Sequence, residues 1–457
     1  MRPRRYALAL ALVLALAACG GGKSVGGGAT STTSGGSASN DACKGKTLQA
    51  SEVGVTPTTI TVTVMADTGS SIRPGLFAGS INAVKAWGDY MNANGGLACR
   101  QVVVKTWDSK LDPSEVKNGI ASACGDSLAM VGTTALFEQD VSLLNSCKDK
   151  AGAPTGVPDL AELQTEASQQ CSPVSFATLP TGASCPYSGT GLRTFKVAST
   201  QYDYYFKKYG KNTLHGVWTI PKDLNSTIAA SMPIFRASQQ MGIKLDAEFG
   251  ASGFGTQPAY TPIVQAIKQH NSNYARNGLD YKGTVLERKE AQAQGVTSVK
   301  VWDCSVQCYD KRLITEGGSA TEGQYVWLNI LPLEDKGHNK ELDTFFQYDK
   351  QPDGFGEQAW MAGEAFTKAV NDVVAKDGAN GLTRKAVLDA IRNIHGFDAG
   401  GMAPKTDIGG RQGSNCLVGM QVQNGKFVRV DPTEPGKFDC SGTVTTLMID
   451  PLKEFHG

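Results

Sequence analysis

Few folds accommodate the order of residues 59–108. Thr59-Ile-Thr-Val-Thr-Val-Met65 alternates polar and apolar side chains, the period of a strand. A loop of small and polar residues, 66–75, follows. Leu76, Phe77, Ile81, Val84, Trp87, Tyr90 and Met91 then recur every three or four positions, which marks one face of a helix. Asn94-Gly95-Gly96 stops that helix, because its end needs the left-handed backbone that Gly tolerates. Gln101-Val-Val-Val-Lys-Thr-Trp-Asp108 returns as a second strand. Strand, helix and strand in so short a span make a βαβ unit, which predicts a parallel sheet. Ligands of such sheets sit outside the carboxyl ends of the strands, here at the loop 67–75.

The pattern continues. Asp112-Pro113-Ser114 opens a helix that buries Val116, Ile120 and Ala123. Residues 128–131 read as a short strand, Gly132-Thr-Thr-Ala135 as the loop after it and 137–147 as helix. Residues 153–159 read as a third strand-end loop. The Cys-, Pro- and Gly-containing stretch 169–192 has no clear period and is expected to be a stapled surface excursion. A helix follows from Tyr202. Strands are then predicted over 214–220, 243–249, 298–302 and 323–329, and helices over 228–241, 260–270 and 281–295. A long amphipathic helix occupies 357–376, and Thr383 caps another. Residues 416–423 and 426–430 flank Asn424-Gly425, a strong hairpin signal.

Lys+Arg number 44 against Asp+Glu 43, so charge gives no case for nucleic acid or an anionic membrane surface as partner. Met1-Arg-Pro-Arg-Arg5 followed by the apolar residues 6–18 reads as a signal peptide, too short to cross a bilayer as a helix. Leu16-Ala17-Ala18-Cys19 resembles a lipobox, which implies cleavage before Cys19 and a lipid on it. Residues 20–40 are rich in Gly, Ser and Thr, as a flexible tether is. Of 11 cysteines, those other than Cys19 are even in number, which in a secreted chain reads as disulfides. Sequence proximity suggests Cys43–Cys99, Cys124–Cys147, Cys171–Cys185, Cys304–Cys308 and Cys416–Cys440. The 5 His are scattered without ligand spacing, so neither a metal nor a cofactor is expected.

Asp67-Thr-Gly69, Gly75, Gly79 and Asn92-Ala-Asn-Gly-Gly96, with Arg100 beyond, resemble the opening of type I periplasmic binding proteins, in particular the leucine/isoleucine/valine-binding receptors of ABC transporters. Cys99 stands where that family has Gly or Asn. The resemblance runs over about 53–430 and implies an α/β fold of two lobes, each a parallel sheet flanked by helices, with three hinge crossings. Residues 51–196 plus 333–413 would form lobe 1, and 197–332 plus 414–457 lobe 2, behind a signal peptide (1–18) and a lipidated linker (19–50). It further implies a cleft in which Ser70, Ser71, Thr133, Thr134 and Asp159 of lobe 1 hold a carboxylate. Tyr202, Tyr274 and Asp303 of lobe 2 would hold an ammonium, with Trp302 and Tyr309 as an aromatic wall. Loop and N-cap chemistry competes for the two threonines, helix capping for Asp159, and a core role for Tyr202. Arg73 either pairs with an anionic ligand or sits on the lip. The implied protein is a monomeric, lipid-anchored receptor that delivers an amino acid or amide to a membrane permease. A sensor lipoprotein of the same fold is the alternative. A surface hydrolase is the third, for which no G-x-S-x-G elbow between a predicted strand and helix and no H-E-x-x-H motif is present.

Overall fold

The computed structural model describes residues 45–71, 73–185, 191–223 and 225–457. The first sheet contains β1 (Thr59–Ala66), β2 (Gln101–Asp108), β3 (Ala129–Thr133), β4 (Asp159–Ala161) and β5 (Ser175–Ala177), in the spatial order β2-β1-β3-β4-β5. All neighbouring pairs are parallel. Ile60, Val62, Val64 and Met65 of β1 are fully buried, as expected of a strand covered by helices on both faces. After β6 (Arg193–Ala198) comes a second sheet: β7 (His215–Pro221), β8 (Lys244–Ala251), β9 (Tyr274–Asn277), β10 (Val301–Ser305), β11 (Gln324–Leu328), β12 (Val418–Gln423) and β13 (Lys426–Asp431). Its order is β13-β12-β11-β10-β9-β7-β8. The five strands from β8 to β11 are parallel, and β12 and β13 add an antiparallel hairpin. This sheet is therefore mixed. The hairpin turns at Asn424 and Gly425, both with positive φ, which that dipeptide tolerates best. Finally β14 (Val444–Ile449) pairs antiparallel with β6.

After β11 the chain returns to the first sheet. The helix Gly354–Asp377 packs on the helix Ala78–Ala93 and on β3. Gly363 permits this approach, since a Cβ there would stand 2.4 Å from the Trp87 ring. Trp87 Nε1 donates to Thr367 Oγ1 at 3.1 Å across the same seam. The chain then enters the second sheet once more through β12. The connections between the two α/β lobes are thus three, as the resemblance implied. Asp112 accepts from the N–H of Ser114 (2.7 Å) and Glu115 (3.2 Å), and Thr383 Oγ1 accepts from Ala386 N–H (3.1 Å), so both caps form as read.

Several expectations need correction. The helix over 137–147 shrinks to Ser142–Ser146, its start set by Asp140 accepting from Ser142 N–H. The stretch 169–192 is not wholly a surface excursion: it supplies β5, buried along its length. Three residues are too few for a visible period. Asp159 opens β4 rather than sitting in a strand-end loop. Strand β10 lies further along than 298–302, so Asp303 and Cys304 are inside it. Strands β9 and β14 had no expectation at all.

Disulfides join Cys124–Cys147, Cys171–Cys185, Cys304–Cys308 and Cys416–Cys440. Cys99 is disulfide-bonded as well. Cys43 and Cys19 lie outside the described residues.

Candidate functional site

A cleft of about 780 Å³ opens between the strand ends of the two sheets. From the first come Arg73, Leu76 and Phe77 beyond β1, Leu136 beyond β3, residues 162–167 beyond β4, and Ala177 at the end of β5. From the second come Pro221 ending β7, Gly253 and Phe254 beyond β8, residues 276–280 at the end of β9, residues 305–307 at the end of β10, and Asn329 beyond β11. All are at carboxyl ends, where parallel sheets leave a crevice. Phe195, Val197 and Leu452 border it too, and most of the lining is apolar.

On the first lobe the loop after β1 is anchored from beneath. Buried Asp67 accepts from Ser109 Oγ (2.7 Å) and from the N–H of Leu111 (2.7 Å) and Leu136 (2.9 Å). Ser70 of that loop is buried and Ser71 exposed, and neither lines the cleft. The two threonine hydroxyls are occupied by acids. Thr133 Oγ1 donates to Asp159 Oδ1 at 2.7 Å, and Ser175 Oγ to Asp159 Oδ2 at 2.5 Å. Thr134 Oγ1 donates to Glu162 Oε2, which Ser80 Oγ also reaches at 3.0 Å. Among the described residues Glu162 Oε1 has no partner. Burial pushes the Asp159 carboxyl up to about 6 and that of Glu162 to about 8, against the pull of their hydroxyl donors.

On the second lobe Asp303 is buried in β10. It accepts from Tyr274 OH (2.6 Å) and Tyr205 OH (2.9 Å) and pairs with the Arg276 guanidinium. Burial and this charge hold both phenols well above their ordinary value. Arg276 also donates from Nη2 to Ser305 Oγ at 2.7 Å, while its Nε has no partner among the described residues. Arg276 therefore faces the cleft and Asp303 lies behind it. Tyr202 is packed in the core with Trp218 and Phe235. Trp302 is covered by the Arg288 guanidinium 4.3 Å from its ring centroid. Tyr309 OH donates to Glu334 and accepts from Leu333 N–H at 2.7 Å.

Of the residues singled out from the sequence, Arg73 lines the cleft. It reaches across it: Nε is 3.1 Å from Asp280 Oδ2, Nη2 donates to the Gly253 carbonyl, and its guanidinium lies 5.2 Å from the Phe254 ring centroid. Thr133, Thr134 and Asp159, buried at the ends of β3 and β4, do not line it, and neither do Tyr202, Tyr274, Trp302, Asp303 and Tyr309. Sequence reading passed over Glu162, Gln201 and Arg276. Arg276 sits in Tyr274-Ala-Arg-Asn277, a strand too short to show a period. Among the described residues no cluster can hold a metal ion, and no helix is long and apolar enough to cross a membrane.

A profile of the family described as periplasmic binding protein matches residues 59–426. Comparison with curated protein sequences gave no match. Among solved structures the fold is similar to an ABC transporter substrate binding protein of Aeropyrum pernix (TM-score 0.65, 14% identity, 84% of this chain and 96% of that one). It is also similar to a leucine binding protein of Thermotoga maritima (0.62, 15%, 82% and 97%). A fatty acid ABC transporter substrate-binding protein of Thermomonospora curvata matches at 0.64, 14%, 86% and 94%.

Proposed function

This chain belongs to the periplasmic binding protein family, a family of binding proteins rather than enzymes, and from that premise we propose that it is the solute receptor of an ABC importer. It takes up an amino acid or a similar small solute between its lobes and hands it to a membrane permease. The observation that carries this is the cleft itself, lined from both sheets at their carboxyl ends, with charged groups set into apolar walls. Closure on a solute excludes water and strengthens each polar contact inside. The tether we propose is a lipid on Cys19, supported by Leu16-Ala17-Ala18-Cys19 and the Gly/Ser/Thr stretch after it. A lipid there would hold the receptor, which we read as a monomer, on the outer face of the cell membrane.

The apolar majority of the lining favours a second reading, a carboxylate with a longer aliphatic body, the class named for the Thermomonospora relative. One screen separates the two. The soluble chain from residue 41 onward is melted with amino acids, amides, urea, polyamines, aromatic acids and fatty acids. A ligand at 100 times its dissociation constant adds about 2.7 kcal/mol, a shift of several degrees. Stabilisation by amino acids supports the first reading, and stabilisation by fatty acids alone replaces it with the second. A ligand-stripped sample that responds to none counts against both.

A further inference from the structure

We propose that the cleft seats its solute with the amine on the first lobe, at Glu162, and the carboxylate on the second, at Arg276 and Gln201, the reverse of the arrangement implied by the sequence resemblance. The inference rests on the amino-acid reading above and fixes the orientation within that site.

Three observations carry it. First, the groups expected to hold a carboxylate on the first lobe are already spent on acids. Thr133 donates to Asp159 and Thr134 to Glu162. A solute carboxylate placed there would meet two carboxyl groups of the protein instead of free hydroxyls. Second, the acid expected to hold an ammonium on the second lobe is covered. Asp303 accepts from two tyrosines and pairs with Arg276, so the group presented to the solute is a guanidinium. Third, the side-chain atoms that lack a partner among the described residues, on the residues that line the cleft, divide by lobe. On the first they are Glu162 Oε1, Glu166 Oε1 and Thr165 Oγ1, two carboxyl oxygens and a hydroxyl. On the second they are Gln201 Nε2 and Arg276 Nε, both donors. Glu162 is 3% exposed and Arg276 2%, so neither recovers its missing bond from bulk water. A buried polar atom left without a partner is costly, and one supplied by the solute removes the cost. A solute ammonium that displaces the carboxyl proton of Glu162 on one side and a solute carboxylate on the other satisfy both sets at once.

The test uses leucine and phenylalanine, each with its decarboxylated amine and its deaminated acid, titrated by calorimetry into the full soluble chain. Glu162→Gln keeps an acceptor for Ser80 and Thr134 while turning an NH₂ toward the cleft. It should weaken the amino acids and the amines roughly tenfold or more and change the acids less than about twofold, as for loss of one charge-assisted bond. Gln201→Leu should do the opposite, weakening the amino acids and the acids and sparing the amines. Replacing Arg276→Met together with Asp303→Asn removes both buried charges at once and should follow the Gln201→Leu pattern. Binding by the wild-type chain with the two patterns exchanged overturns the orientation and leaves the receptor reading intact. Equal losses for amines and acids in every variant overturn it too. A wild-type chain that binds none of the six removes the amino-acid reading and the orientation with it.

Discussion

Glu162 carries a pH signature. Burial, with a smaller push from Asp353, raises its carboxyl to about 8 although Thr134 and Ser80 donate to it. In the unfolded chain it returns to its ordinary value of 4.5. Between those values the folded state holds a proton that the unfolded state has lost, so this group's contribution to stability falls as pH rises from about 4.5 to 8. Glu162→Gln should therefore raise the thermal midpoint at pH 8 and leave it nearly unchanged at pH 4.5. Calorimetric scans at the two values decide it: an equal shift at both would mean that another group titrates. The Arg276–Asp303 pair makes a second case. Removing Arg276 alone leaves a buried carboxylate facing two phenols, and Arg276→Met should cost about 3–5 kcal/mol in urea unfolding. A loss below about 1 kcal/mol would show that the pair is less buried than its geometry requires. Neither Glu162 nor Arg276 stood out in the sequence, because burial and partner choice at one side chain depend on strands far apart in the chain.

At the scale of elements, the seam between helices Ala78–Ala93 and Gly354–Asp377 holds the first lobe to the segment that returns to it. Gly363→Ala would press a methyl into the Trp87 ring and should destabilise by about 1–3 kcal/mol, read as a lowered midpoint in denaturant with an unchanged slope. Thr383→Ala removes one cap bond and should cost about 1 kcal/mol. The long, periodic elements were legible: β1, β2, the helix after Pro113, the long helix and the Asn424-Gly425 hairpin all fall where pattern and turn chemistry put them. The elements that escaped are short. Strand β5 has three residues and β9 has four, and over such lengths alternation cannot be told from chance. Their place is set by neighbouring strands rather than by their own residues.

On the scale of the whole molecule, Arg73 bridges the lobes through Asp280 and the Gly253 carbonyl. Arg73→Ala should loosen the unliganded receptor. A larger radius of gyration in solution scattering, reversed by saturating solute, is the expected result, and an unchanged radius would deny the bridge a role in closure. The sequence by itself determined the order of the longer strands and helices, the reading of cysteines as disulfide partners and the crevice at the strand ends. These follow from local periodicity, turn chemistry and the handedness of βαβ connections, which act over a few tens of residues. Tertiary structure alone decided which side chains face the crevice. Asp303 and Arg276 lie on neighbouring strands, Thr134 and Glu162 on successive strand ends, and only their pairing settles which member of each pair meets the solute. That choice depends on burial and on the partners that folding brings into contact, and neither is written in local spacing.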